Sequence, residues 1–118
     1  MKSLLKFLLL IALIANLGCQ STIAPGADPV IVTTQQVLEV SLGTVDKFLK
    51  FEYANRSKVS PGVSEAAEQL RKEFPPAFRL ARGLLTTYKQ SRTPENKKLL
   101  DDYVLMVKRM AVKAQEAK

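Results

Sequence analysis

The chain has 118 residues and contains no histidine, no tryptophan and one cysteine, Cys19. Without histidine there is no imidazole to act as the base of a nucleophilic triad or to ligate zinc, and one thiol cannot build a cysteine-rich zinc site. An internal disulfide is excluded for the same reason. Glycine is sparse, five residues in all, and none of them belongs to a loop of the kind that cradles phosphate. No apolar run approaches the roughly twenty residues that a membrane-spanning helix needs. The longest occupies positions 7–17, eleven residues interrupted by Asn16. Strand-like alternation of apolar and polar residues is missing as well. The length fits one domain. Together these absences argue against an enzyme and leave no expectation of a cofactor or a metal.

What is present is unevenly placed. Apolar residues make up 47% of the chain; fourteen fall in the first nineteen positions and forty-one in residues 20–118. Lys2 and Lys6 precede the apolar run, and an apolar stretch of about 7–15 residues behind a basic start is the pattern of a secretory signal. The run closes on Asn16-Leu17-Gly18-Cys19. This ending resembles that of bacterial lipoprotein precursors, whose signal peptide is removed just before a cysteine. The resemblance covers about the first twenty residues. Gly18 and Leu17 suit the pattern; Asn16 departs from it, because an apolar residue is usual there. It implies a signal peptide at 1–18 and lipid attachment at Cys19, with diacylglycerol on the sulfur and an acyl chain such as palmitate on the new amino group. Two or more acyl chains hold a protein firmly where one is marginal. In such precursors an Asp after the cysteine signals inner-membrane retention. Gln20 stands there instead, which implies the outer membrane, facing the periplasm, in a Gram-negative host.

Residues 19–118 number 100 and carry sixteen basic and eleven acidic side chains, a net +5. A chain of that size buries about 65% of its unfolded surface, enough for one modest core. The charge favours anionic surfaces, and an exported protein does not meet nucleic acid. Residues 19–32 read as a lipid-anchored tether followed by an extended segment: Pro25, Gly26 and Pro29 punctuate a stretch poor in large apolar residues, and the β-branched Val30, Ile31 and Val32 favour extended backbone.

Residues 33–118 carry helical periodicity. Thr33 to Gln36 fits a capping box, and Leu38, Leu42, Val45 and Leu49, widened by Phe48, mark the apolar face of a first helix ending near Asn55. Ser60-Pro61 opens a second helix, with Val63, Ala67, Leu70 and Phe74 in line. After Pro75-Pro76 the same phase resumes in Phe78, Ala81, Leu85 and Tyr88. One long helix kinked at the prolines, or two short coaxial ones, fits this pattern. Thr93-Pro94-Glu95 opens a third, whose face is Leu99, Tyr103, Met106, Met110 and Ala114, with Leu100 and Val107 beside it. Glu68 and Lys72 are spaced for an i,i+4 ion pair. Short polar connections favour antiparallel neighbours. The expectation is an all-α, antiparallel three-helix bundle behind a flexible N-terminal tether.

One charged feature stands out. At 100° per residue Arg71, Arg82 and Lys89 share nearly one direction on the second helix, with Arg79 nearby. They form a candidate strip for an anionic surface, or an ordinary solvated face. Two stretches, Lys50-Phe51-Glu52-Tyr53-Ala54-Asn55-Arg56 and Ser91-Arg92-Thr93-Pro94-Glu95-Asn96-Lys97, weakly resemble segments of small uncharacterised bacterial and phage-encoded helical proteins. The expected role is a non-enzymatic membrane-anchored lipoprotein of the cell envelope that presents its bundle to a protein or cell-wall partner. The alternative is a phage-derived envelope effector, acting in superinfection exclusion or lysis.

Overall fold

A computed structural model describes residues 27–117 of the chain. The signal-peptide and lipid-attachment assignments, with Cys19, lie outside the described residues. Three helices account for the fold: α1 Pro29–Ala54, α2 Pro61–Gln90 and α3 Pro94–Glu116. They form a small all-α antiparallel bundle. The chain divides after Thr33 into two units, and the packing that follows lies within Thr34 and beyond.

Each helix starts with the same grammar, a short polar residue followed by proline. Ser60 accepts the Val63 amide at 3.4 Å and Thr93 accepts the Asn96 amide at 3.2 Å, each satisfying one of the donors that a helix start leaves unpaired. Proline at the first position lacks a donor and has its φ set for the helix. The first start departs from the sequence expectation. Val30, Ile31 and Val32 are helical, not extended, and Thr33 is not a cap but an interior residue of α1. Asp28 caps the helix instead: its carboxylate accepts the Val30 amide at 2.9 Å and its carbonyl the Val32 amide at 3.1 Å. The helical disadvantage of three β-branched residues is a few tenths of a kcal/mol each, so a good cap with proline behind it overcomes most of the deficit.

α2 runs without a break through Pro75 and Pro76, so the two-helix alternative does not hold. Both prolines are exposed. The carbonyls of Arg71 and Lys72 that lose their partners therefore lie on the watered side. The buried side is carried across by Phe74 and Ala77, and the rings of Phe74 and Phe78 stack with centroids 5.6 Å apart.

The core is narrower than the apolar pattern suggests. In α1 the buried positions are Thr34, Leu38, Ser41, Val45, Phe48 and Glu52, a strict alternation of four and three residues, the spacing of a coiled-coil seam. Half of them are polar, which hides the seam from a search for apolar periodicity. Leu42, expected on the face, is 45% exposed, and Leu49 is half-buried. α3 is rotated in the same way. Leu100, Val107, Ala111 and Ala114 are buried, whereas Leu99 and Met106 are exposed and Tyr103 and Met110 half-buried. The expected stripe was displaced because the apolar arc of α3 is broad, running from Met106 round to Val104, so periodicity alone does not single out which part of it faces inward. α2 buries Ala67, Leu70, Phe74, Ala77, Ala81, Leu85 and Tyr88, close to expectation. No buried side-chain polar atom among the described residues lacks a hydrogen-bond partner.

Two opposite changes test this packing. Leu100, fully buried, should lose roughly 2–5 kcal/mol of unfolding free energy on Leu100→Ala. Nothing lies within 4 Å of a Cβ built on Gly83, in the interior of α2; Gly83→Ala should therefore raise stability by roughly 0.5–1 kcal/mol. Urea denaturation followed by circular dichroism measures both.

Candidate functional site

The ends of the bundle differ in how their charges are used. At the end formed by the last turns of α1 and the first turns of α2, Glu52 is fully buried. It occupies the final position of the α1 seam. A carboxylate placed there must be met by cations, because an isolated buried charge is costly. Arg71 reaches across from α2 and donates from Nη2 to Glu52 Oε2 at 2.5 Å and to the Leu49 carbonyl at 3.4 Å. Arg56, one turn further along, donates from Nε to Glu52 Oε1 at 3.3 Å. Glu68 closes the cluster, accepting from Arg71 Nη1 at 2.7 Å and lying 3.5 Å from Arg56 Nη2. The expected pairing of Glu68 with Lys72 is replaced by these contacts. The hydrogen bond from Arg71 pulls the Glu52 carboxyl below its ordinary value of 4.5; burial opposes this, and Arg56 adds to it.

The candidate strip is thus divided. Arg71 is half-buried and bound by two carboxylates, which withdraws it from any anionic surface. Arg79, Arg82 and Lys89 are exposed. The Arg82 guanidinium lies 5.9 Å from the centre of the Phe78 ring, within cation–π range. Arg82 and Lys89 form the α2 lip of a groove of about 350 Å³ between α1 and α2, whose apolar lining is Leu38, Leu42, Phe78 and Leu85, with Glu39 on the α1 side. At the start of α3 two lysines are engaged instead: Lys97 with Asp101 at 2.9 Å and Lys98 with Asp102 at 3.2 Å.

Two further grooves flank the bundle. That between α1 and α3, about 280 Å³, is lined by Val37, Val40, Thr44, Ala111 and Val112 with Lys108 at its edge. That between α2 and α3, about 290 Å³, is bordered by Leu70, Leu105, Met106 and Met110. These volumes fall at or below the low end of the range for small-molecule sites. Among the described residues no group of three acidic or cysteine side chains could hold a metal ion. No described helix is long and apolar enough to cross a membrane. No family model matches the chain, and comparison with curated proteins and with solved structures returns no match.

The Glu52 cluster was not anticipated. Its signal in the sequence is a glutamate falling in register with the buried seam residues Leu38, Val45 and Phe48, with an arginine four residues on at Arg56. Reading it requires admitting Ser41 to the seam, which apolar counting does not do.

Since the Glu52 carboxyl titrates lower in the folded than in the unfolded chain, its contribution to stability is fully present above pH 4.5 and is lost as pH falls through the depressed folded value. Glu52→Gln should flatten the dependence of the melting temperature on pH below about 4.5. Arg71→Ala, which strands the buried carboxylate, should lower the melting temperature at neutral pH by about 10 °C or more. Thermal melts at neutral pH and across that range check both.

Proposed function

We propose that the chain is the precursor of a non-enzymatic lipoprotein of the cell envelope, held to a membrane by acyl chains on Cys19 and presenting its helical bundle to a protein or cell-wall partner. The observation that carries this reading is the end of the apolar run at Asn16-Leu17-Gly18-Cys19, with the one cysteine of the chain at the position where lipid is attached. The start of α1 at Pro29 supports it. The nine residues from Gln20 to Asp28 span at most about 30 Å, long enough to clear the headgroups and short enough to keep the bundle beside them. Gln20 after the cysteine favours the outer membrane. The two stretches that resemble phage-encoded proteins coincide with the Glu52–Arg56 ion pair and with the cap of α3. Local structure accounts for those residues, so they do not favour a phage origin over the envelope reading.

Cells expressing the chain with labelled palmitate should yield a labelled band that disappears on Cys19→Ala, and globomycin should cause the unprocessed precursor to accumulate. Labelling unchanged by the substitution overturns the reading.

A further inference from the structure

α3 turns Leu100, Val107, Ala111 and Ala114 into the bundle. At 100° per residue the direction opposite to them is held by Asp102 and Arg109, which point within about 20° of each other. Both are exposed. Large apolar residues flank this line, Leu105 and Val112 on one side and Met106 and Leu99 on the other, and all four are more than two-fifths exposed. Scattered apolar residues are ordinary on a surface, but four on the outer half of one helix about 35 Å long form a patch of the kind that marks a contact. The charges of this face are ordered along the helix. Glu95 and Asp102 lie in its first half and Arg109 and Lys113 in its second, with Lys98 and Glu116 toward the two ends. Three acids and three bases cancel, so the face as a whole does not favour an anionic surface. Asp102 accepts from Lys98 through Oδ2 at 3.2 Å, which leaves Oδ1 open. Glu95, Arg109, Lys113 and Glu116 have no ion pair among the described residues.

We infer that this face of α3 binds a second copy of the chain, as a two-fold dimer in which the two α3 helices lie antiparallel with the axis passing between Leu105 and Met106. The inference concerns the bundle alone and does not depend on the fate of Cys19. Self-complementarity selects this occupant, because it is the condition that an isologous contact must meet. Antiparallel placement about that axis sets each residue level with the one equally far along on the other side. Asp102 of each copy then meets Arg109 of the other, which gives two symmetric ion pairs at the centre. Leu105 packs on Leu105 along one side of these pairs, and Met106 on Met106 along the other. Within a further turn, Lys98 lies toward Glu116 of the second copy on the Leu105 side, and Glu95 toward its Lys113 on the Met106 side. The two members of each of these outer pairs leave α3 in the same direction, as the two-fold requires. Parallel placement would instead set Asp102 against Asp102 and Arg109 against Arg109, and like charges repel. One helix face of this length gives an interface at the low end of the range for specific pairs, so the dimer is a reversible one.

The test traps this dimer in the full chain, in lysed cells that retain their membranes. Two differently tagged forms are co-expressed, one carrying Asp102→Cys and the other Arg109→Cys, and are treated with a bis-maleimide that spans about 8 Å, close to the separation of packed helix axes. In this mixed pair one Asp102–Arg109 contact survives, because each copy keeps the residue that the other needs. A band of doubled mass carrying both tags should be several-fold stronger than the doubled band from either form expressed alone. The chain whose one thiol is Cys19 sets the background. A third form, Met106→Cys, reads the charges, since its thiol lies beside its own copy across the axis. Its doubled band should fall several-fold with Asp102→Lys and recover when Arg109→Asp is added. All three positions are exposed, and recovery in the double reversal shows that the fold is intact. No doubled band above background, or a crosslinked band of another mass, overturns the inference; the second of these assigns the face to a different protein. A doubled band as strong from Asp102→Cys alone as from the mixed pair overturns it too, as does a Met106→Cys band indifferent to Asp102→Lys.

Discussion

Burial of the Glu52 carboxylate constrains the bundle more than any other single contact. A charge removed from water must find compensating charge and hydrogen bonds, and the desolvation it suffers is not recovered by approximate geometry. Glu52 finds them in Arg71 of the neighbouring helix and in Arg56 one turn along its own. An apolar seam can slide by a turn and lose only part of its contacts. A buried carboxylate displaced by a turn loses Arg71 and keeps only Arg56, which belongs to its own end of the chain. The ion cluster thus selects the register of α1 against α2. That register in turn brings Leu38 and Leu42 opposite Phe78 and Leu85 at the other end.

The packing around this tie uses small residues freely. Ala67, Ala77 and Ala81 on α2 and Ala111 and Ala114 on α3 are buried, which lets helix backbones approach closely but yields little apolar area per position. Phe48, Leu100, Val45 and Val107 supply the large, fully buried apolar side chains. The larger apolar residues of α3 lie mostly outside this line: Leu99, Leu105, Met106 and Val112 are all exposed by more than two-fifths.

Charge follows the same division of labour. Arg56 and Arg71 are matched with Glu52 and Glu68 at the far end, and Lys97 and Lys98 with aspartates in the first turns of α3. Arg79, Arg82 and Lys89 of α2 take no part in these pairs, and neither do Lys108, Arg109 and Lys113 of α3. The residues that the periodicity placed on one strip are therefore unlike in role. Arg71 is a structural tie, while Arg82 and Lys89 border an open groove, although all three point in nearly the same direction from the helix axis. Direction on a helix is a property of spacing; the partner met in that direction is a property of the neighbouring helix.

Much of the architecture was legible in the linear chain. Helix number, the proline-led starts of α2 and α3, the end of α1 and the continuation of the apolar phase past Pro75-Pro76 all follow from local rules. Capping, φ restriction and periodicity act over a few residues and carry their cause with them. The start of α1 at Asp28-Pro29 follows the same rule and was obscured by the β-branched residues behind it. The inner face of α3, the polar seam of α1 and the fate of Arg71 lay beyond reach. Each is a choice among locally equivalent alternatives, and each is made by a residue distant in sequence. Leu100 rather than Leu99 is buried because of what α1 and α2 present to it, and Glu52 is tolerated in the core because Arg71, nineteen positions away, arrives beside it. The sequence by itself determined where helices begin and end, since those free energies are local. Only the tertiary structure decided which of their faces are inside and which charges remain unspent, since burial and pairing are settled between helices.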